Sequence, residues 1–159
     1  MGNQTTTVTA PHFKFNYPND WMVTGEGNMF NGYTTMVSPM SGEIARVSVG
    51  EIPNDRSTDE ALIETLDTLL ETAANKIGRE STPFESGTDI YIVNNQTAPY
   101  VIHTETCAYS ICDRIVKMET VVKIDGQHHA LFEYAAEEDI FDKYLSQAEA
   151  ILKTVTPIK

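Results

Sequence analysis

Basic residues are scarce in this chain: 11 lysines and arginines stand against 23 aspartates and glutamates, a formal charge of -12 over 159 residues. Such a surface repels phosphate backbones and anionic lipid headgroups, which argues against nucleic acid and membrane surfaces as partners. Cysteine is limited to Cys107 and Cys112. Two thiols are too few for a closed four-sulfur zinc site, and their spacing is not that of a redox C-x-x-C pair. No apolar run reaches bilayer length, and Met1-Gly2 is not followed by a basic and then apolar signal region. No internal repeat divides the chain, and its length accommodates one domain with a proper core rather than two.

What is present reads as an α/β domain. Residues 1–11, rich in threonine, have the composition of a flexible spacer of the kind that follows a cleaved signal or a lipid-anchored cysteine, with a single domain expected over 12–159. Phe13, Phe15 and Tyr17 alternate with Lys14 and Asn16, the period of a half-buried strand, and Pro18-Asn19-Asp20 stops it. Trp21 then re-enters apolar surroundings, where its indole N–H needs an acceptor. Gly25 to Gly32 reads as a loop. Tyr33 to Val37 and Ile44 to Val49 read as a hairpin around Ser38 to Gly42.

Ser57-Thr58-Asp59-Glu60 has the form of a capping box, followed by Leu62, Leu66, Leu69, Leu70, Ala73 and Ile77 at helical spacing up to Gly78. Arg79 to Gly87 reads as a polar connection broken by Pro83. Strands are expected over Thr88 to Val93, Tyr100 to Thr106, Arg114 to Val122 and His128 to Tyr134, with Asp125-Gly126 as a two-residue turn. Glu137-Glu138-Asp139 supplies an acidic first turn for a last helix. Its buried stripe is Phe141, Tyr144, Leu145, Ala148, Ile151, Leu152 and Val155, and Pro157 closes it.

The segment F-x-F-x-Y-P-x-x-W formed by Phe13, Phe15, Tyr17, Pro18 and Trp21, together with Gly126 at the turn and Phe141 and Tyr144 in the last helix, resembles the PsbP superfamily. That group is similar in fold to DcrB-type lipoproteins and Mog-type import factors. The resemblance implies an α/β/α sandwich with a central antiparallel sheet and helices packed on its faces. It also implies a non-enzymatic role in binding or assembling another protein at the cell envelope, without a cofactor. The acidic charge and the missing N-terminal extension depart from the photosynthetic members, and no family metal-binding or partner-binding residue maps onto this chain.

The residues that carry chemistry are few. Cys107 and Cys112 bracket Ala-Tyr-Ser-Ile at a hairpin tip, a spacing that suits either a disulfide in an exported protein or two reduced thiols in a cytoplasm. A bridge there stabilises by about 2 kcal/mol, because the closed ring is short. Tyr109 and Ile111, on the loop between the cysteines, are the candidate binding residues, since an aromatic and an aliphatic on a stiffened loop order cheaply on contact. His128 and His129 are neighbours on a strand and point to opposite faces, so they do not chelate one ion together, and no metal site is expected. His103 or His129 would serve an enzyme only beside a carboxylate or thiol. The acidic groups Asp59-Glu60-Glu64 and Glu137-Glu138-Asp139 begin helices and lack calcium-loop spacing.

Asn3-Gln4-Thr5 and Asn95-Gln96-Thr97 match the glycosylation pattern and agree with export. The rival to a protein-binding module is a small-ligand carrier with a pocket between sheet and helix, lined by Met118, Phe132 and Tyr134. The cysteine spacing yields a direct test. Purified without reductant from an oxidising compartment, the chain is expected to be two hydrogens lighter by intact mass than after reduction, and an unchanged mass rejects the bridge.

Overall fold

A computed structural model describes residues 4–29, 32–52, 82–93, 96–106, 114–124 and 129–158, with β6 and most of β7 defined by backbone pairing. Ten strands and one helix lie in these segments. The strands are β1 (Thr5–Thr9), β2 (Phe13–Pro18), β3 (Trp21–Met29), β4 (Gly32–Pro39), β5 (Ala45–Ile52), β6 (Thr82–Val93), β7 (Gln96–Thr106), β8 (Arg114–Lys123), β9 (His129–Glu137) and β10 (Thr156–Pro157). The helix α1 spans Phe141–Lys153. Two antiparallel sheets result, one ordered β1-β2-β10 and the other β3-β4-β5-β9-β8-β7-β6.

The large sheet is amphipathic by alternation. Successive side chains on a strand point to opposite faces, and the register lines the inward residues up in rows. One row runs Val37, Val47, Tyr134, Met118 from β4 to β8, and the next runs Thr35, Val49, Phe132, Thr120. All eight are fully buried. The hydroxyls of Thr35 and Thr120 find no hydrogen-bond partner among the described residues.

The helix lies on this inner face. Phe141, Tyr144, Ala148, Ile151 and Leu152 form its buried side, at the spacing expected of an amphipathic helix. The Tyr134 hydroxyl donates to the Phe141 carbonyl at 2.6 Å, and the two rings stack at 4.7 Å between centroids. Burial pushes the Tyr134 hydroxyl well above the ordinary tyrosine range, so it stays protonated and keeps donating. At the other end of α1, Thr154 Oγ1 accepts from the Asn16 backbone N–H at 2.8 Å, tying the helix to β2. Phe13 and Phe15 of β2 are fully buried and stack at 6.4 Å beneath the helix.

Several expectations hold. Trp21 is buried, with its indole N–H donated to Gln147 Oε1 at 3.2 Å. The β4–β5 hairpin, the meander β7, β8, β9 and the closing helix stand where the patterns place them.

Others need correction. Thr5–Thr9 is a strand on β2 rather than spacer, held by backbone pairing and by the bonds Thr6 Oγ1 to Asn19 Oδ1 (2.7 Å) and Thr7 Oγ1 to Asn16 Oδ1 (2.8 Å). The β-branched side chains that read as spacer chemistry are also good strand formers. The expected loop from Gly25 is instead the continuation of β3, which passes through a bulge between Val23 and Gly25 and a positive φ at Gly27. The polar connection before Thr88 belongs to β6 from Thr82 onward. Pro83 is tolerated because β6 is the sheet's edge and its ladder is irregular there. Glu137 ends β9, so the acid of the first helical turn is Asp142. The helix ends at Lys153, and Pro157 pairs with Phe13 in β10.

The sandwich with helices on both faces is present only in part: among the described residues one helix covers one face. The helix expected over residues 57–78 lies outside them, as does the Asp125-Gly126 turn.

Close packing on the outer face provides a test. A Cβ at the buried Gly50 lies 2.6 Å from Thr34 Oγ1 on the neighbouring strand. Gly50→Ala is expected to lower stability by about 1–3 kcal/mol, as overpacking does. The double variant Gly50→Ala/Thr34→Ala is expected to recover most of the loss in urea unfolding, and equal losses in the two refute the clash.

Candidate functional site

Cys107, Tyr109, Ile111 and Cys112 lie outside the described residues. Their frame is described: β7 and β8 pair from Tyr100↔Thr120 to Thr106↔Arg114, so residues 107–113 form the connection of an antiparallel hairpin. The expected hairpin is therefore present up to its tip.

The histidines do not meet. His103 is paired with Lys117 on β8, and Lys117 with Ala135 on β9, whereas His129 pairs with Lys123 and Ile52. His129 is six positions along β9 from Ala135, roughly 20 Å at strand rise, so no shared catalytic or metal geometry arises from the pair. His128 lies outside the described residues. His12 Nδ1 is 2.5 Å from Glu51 Oε1, joining the β1–β2 connection to β5. No group of three or more histidine, cysteine or carboxylate side chains able to hold a metal ion occurs among the described residues.

Met118, Phe132 and Tyr134, the lining of the carrier reading, are each 0% exposed within the core. Their side chains pack against one another across the Met118↔Tyr134 and Thr120↔Phe132 pairs and against α1. They are filled core, which leaves them nothing to offer a ligand without displacing neighbours.

A polar cluster that the sequence reading missed joins the β4–β5 connection to the start of α1. Glu43 Oε1 receives a hydrogen bond from Lys143 Nζ at 2.5 Å and another from the Tyr144 hydroxyl at 2.6 Å. Since the Tyr144 proton goes to Glu43, the 2.9 Å contact between Ser41 Oγ and the Tyr144 oxygen has serine as donor. Ser41 Oγ in turn accepts from the Glu43 backbone N–H at 3.3 Å. Trp21 meets the Tyr144 ring edge-on at 5.9 Å, and the Lys143 ammonium sits 5.3 Å from the same ring's centroid.

The electrostatics of this cluster are those of a latch. The bonds from Lys143 and Tyr144 hold the Glu43 carboxyl below its ordinary value, and the Glu43 carboxylate holds the Lys143 ammonium above its own. A general base needs a raised carboxyl and a nucleophilic lysine a lowered amine, so both shifts run against catalysis. Nothing local in the sequence signals the cluster, because Ser41 and Tyr144 are 103 positions apart.

Comparison with solved structures shows what fold this is. The solution structure of cyanobacterial PsbP (CyanoP) from Synechocystis sp. PCC 6803 superposes with a TM-score of 0.72 at 11% identity, over 99% of this chain and 95% of that one. A crystal structure from Bacteroides thetaiotaomicron VPI-5482 matches with a TM-score of 0.62 at 10% identity, over all of this chain. This chain spans 50% of that protein's length. No family model matches the sequence, and no curated protein matches it. The PsbP-like fold is thereby shown, at an identity that speaks of fold alone.

The latch has a pH signature. Glu43, with its pKa depressed on folding, contributes stability that is present above the unfolded value and lost as pH falls through the folded one. Lys143, with its pKa raised, contributes below its unfolded value and loses the contribution as pH rises through the folded one. The stability gap between the wild type and Glu43→Gln is therefore expected to be widest near neutrality and to close toward acid, with the Glu43 midpoint by NMR below the ordinary 4.5. A midpoint above 4.5 rules the latch out.

Proposed function

We propose that this chain is a non-enzymatic, PsbP-like protein-binding module that works outside the cytoplasm, at the cell envelope. The observation that carries the reading is the likeness to a cyanobacterial PsbP across nearly the full length of both chains. The chemistry of the described residues supports it. The best-organised polar cluster is arranged to hold a loop on a helix, and the aromatic side chains fill the core. No helix among the described residues is long and apolar enough to cross a membrane.

The contact surface in this reading is the β7–β8 hairpin tip, with Tyr109 and Ile111 as anchors and a Cys107–Cys112 bridge stiffening it. Thr106 and Arg114 are paired, so the tip springs from a ladder held in register on both strands. Preformed support of this kind lowers the ordering cost of binding.

Capture of envelope proteins on immobilised chain tests the proposal. Tyr109→Ala is expected to leave the unfolding midpoint unchanged and to remove the specific partner from the captured set, with an expected loss of about 1–3 kcal/mol for a central aromatic. Full capture by Tyr109→Ala/Ile111→Ala would place the contact elsewhere and defeat this assignment.

A further inference from the structure

Among the described residues the two sheets have four edges, and they are not alike. β3 is bent by the bulge between Val23 and Gly25 and passes through a positive φ at Gly27. β6 carries Pro83 and two shifts of register, and β10 has only two residues, one of them Pro157. Bulges, prolines and short length are the means by which proteins keep an open edge from pairing with other chains. β1 has none of the three. Thr5–Thr9 follows β2 through five consecutive partners without a shift, and it holds no proline, glycine or charged residue. Four of its five residues are exposed.

The bonds at its two ends fix which backbone groups this edge offers. The Asn19 N–H donates to the Gln4 carbonyl at 3.1 Å, and the Ala10 N–H to the Phe13 carbonyl at 2.8 Å. In an antiparallel pair hydrogen-bonded positions alternate with unbonded ones, so Thr6 and Val8 face β2 as Gln4 and Ala10 do. The N–H and C=O groups of Thr5, Thr7 and Thr9 therefore point away from β2. Two neighbours agree with that parity. Pro18, opposite Thr5, has no N–H to give, and the Asn16 N–H, opposite Thr7, turns to Thr154 Oγ1 instead. Three donors and three acceptors thus stand in one straight row, half of a ladder ready for its partner strand.

The side chains beside that row sort by face. Thr5, Thr7 and Thr9 share the solvent side with Asn16 and Lys14, whereas Thr6 and Val8 share the inner side, where Val8 and Tyr17 pack against the core. Lys14 is exposed and is the only charged residue in β1, β2 and β10. Residues 1–19 contain no aspartate or glutamate, in a chain whose net charge is -12. We propose that β1 is a docking edge for an extended peptide segment of another protein, which alternates acidic with β-branched apolar residues and adds to the small sheet as a fourth strand. Acidic side chains opposite Thr5, Thr7 and Thr9 fall on the Lys14 side, and the apolar ones between them extend the surface of Val8 and Tyr17. A peptide suits this edge better than a second copy of the chain. A five-residue seam is small against the roughly 1,200–2,000 Å² of a stable interface between folded proteins, and two chains of charge -12 repel.

The probe is a synthetic Glu-Val-Glu-Val-Glu-Val-Glu peptide, blocked at both ends, with Lys-Val-Lys-Val-Lys-Val-Lys as its charge-reversed control. In the free chain, amide exchange by NMR is expected to be slow at Thr6 and Val8 and fast at Thr5, Thr7 and Thr9. Saturating acidic peptide is expected to slow the second set about tenfold or more, and the basic peptide to bind more weakly. Thr7→Pro removes one outward donor and the Thr7 side-chain bond to Asn16, but no backbone bond to β2. It is expected to weaken the acidic peptide about tenfold, the scale of one lost ladder bond, with Thr6 and Val8 still protected. Lys14→Glu, which leaves the backbone intact, is expected to reverse the preference between the two peptides. Tyr109→Ala/Ile111→Ala is expected to bind the acidic peptide as the wild type does, which separates this edge from the β7–β8 tip. Unchanged exchange at Thr5, Thr7 and Thr9 with peptide present, or equal affinity of the wild type for the two peptides, would overturn the proposal. So would protection of those amides that rises with chain concentration alone, since the edge would then belong to a second copy.

Discussion

The apolar stripe of α1 is the constraint on which the architecture rests, because the two sheets share no strand. Phe13 and Phe15 from the small sheet and Tyr134 from the large one all reach the helix, and Phe141, Ile151 and Leu152 fill the space between them. Burying a large apolar side chain contributes on the order of 1.5–3 kcal/mol, so the five inward residues of α1 outweigh any surface ion pair in the molecule. Directional bonds then fix the position of what burial holds together. Tyr134 to Phe141, Trp21 to Gln147 and Asn16 to Thr154 each pin the helix to a different strand.

Around this frame the polar groups divide by location. Exposed ion pairs such as Arg46 with Glu133 and Arg114 with Glu138 span neighbouring structure at 3.3 and 3.6 Å and contribute little. The Ser41, Glu43, Lys143 and Tyr144 cluster differs in being a connected network, in which each hydroxyl has one donor role and one acceptor role. Its geometry keeps the β4–β5 connection seated on the helix, next to the Trp21 ring.

Much of the fold was legible because its signals are periodic. The two-residue alternation of Phe13, Phe15 and Tyr17 and the three-and-four spacing from Phe141 to Val155 report local geometry directly, and both elements stand where those periods put them. Where the structure departs from the local patterns one cause recurs: position in the sheet outweighs the intrinsic preference of the residue type. Glycine and asparagine in β3 and proline in β6 occupy edge strands, where bulges absorb them. The threonines of β1 became a strand because β2 offered a free edge. The latch was illegible for another reason, since no local pattern encodes a contact between residues 41 and 144. The candidate hairpin tip was legible only as a spacing, and its described flanks confirm the strands on either side.

The small sheet also decides how the molecule carries load. β1 and β10 both run antiparallel to β2 and therefore parallel to each other, with Thr5 beside Pro18 and Pro157 beside Phe13. The chain thus leaves this sheet at opposite ends of β2. Tension applied between the two exits acts along the strands, so the hydrogen bonds of each ladder share the force in shear instead of opening one after another. With five register pairs on the β1 side and two on the β10 side, β10 yields first, and the force then reaches α1 through Thr154.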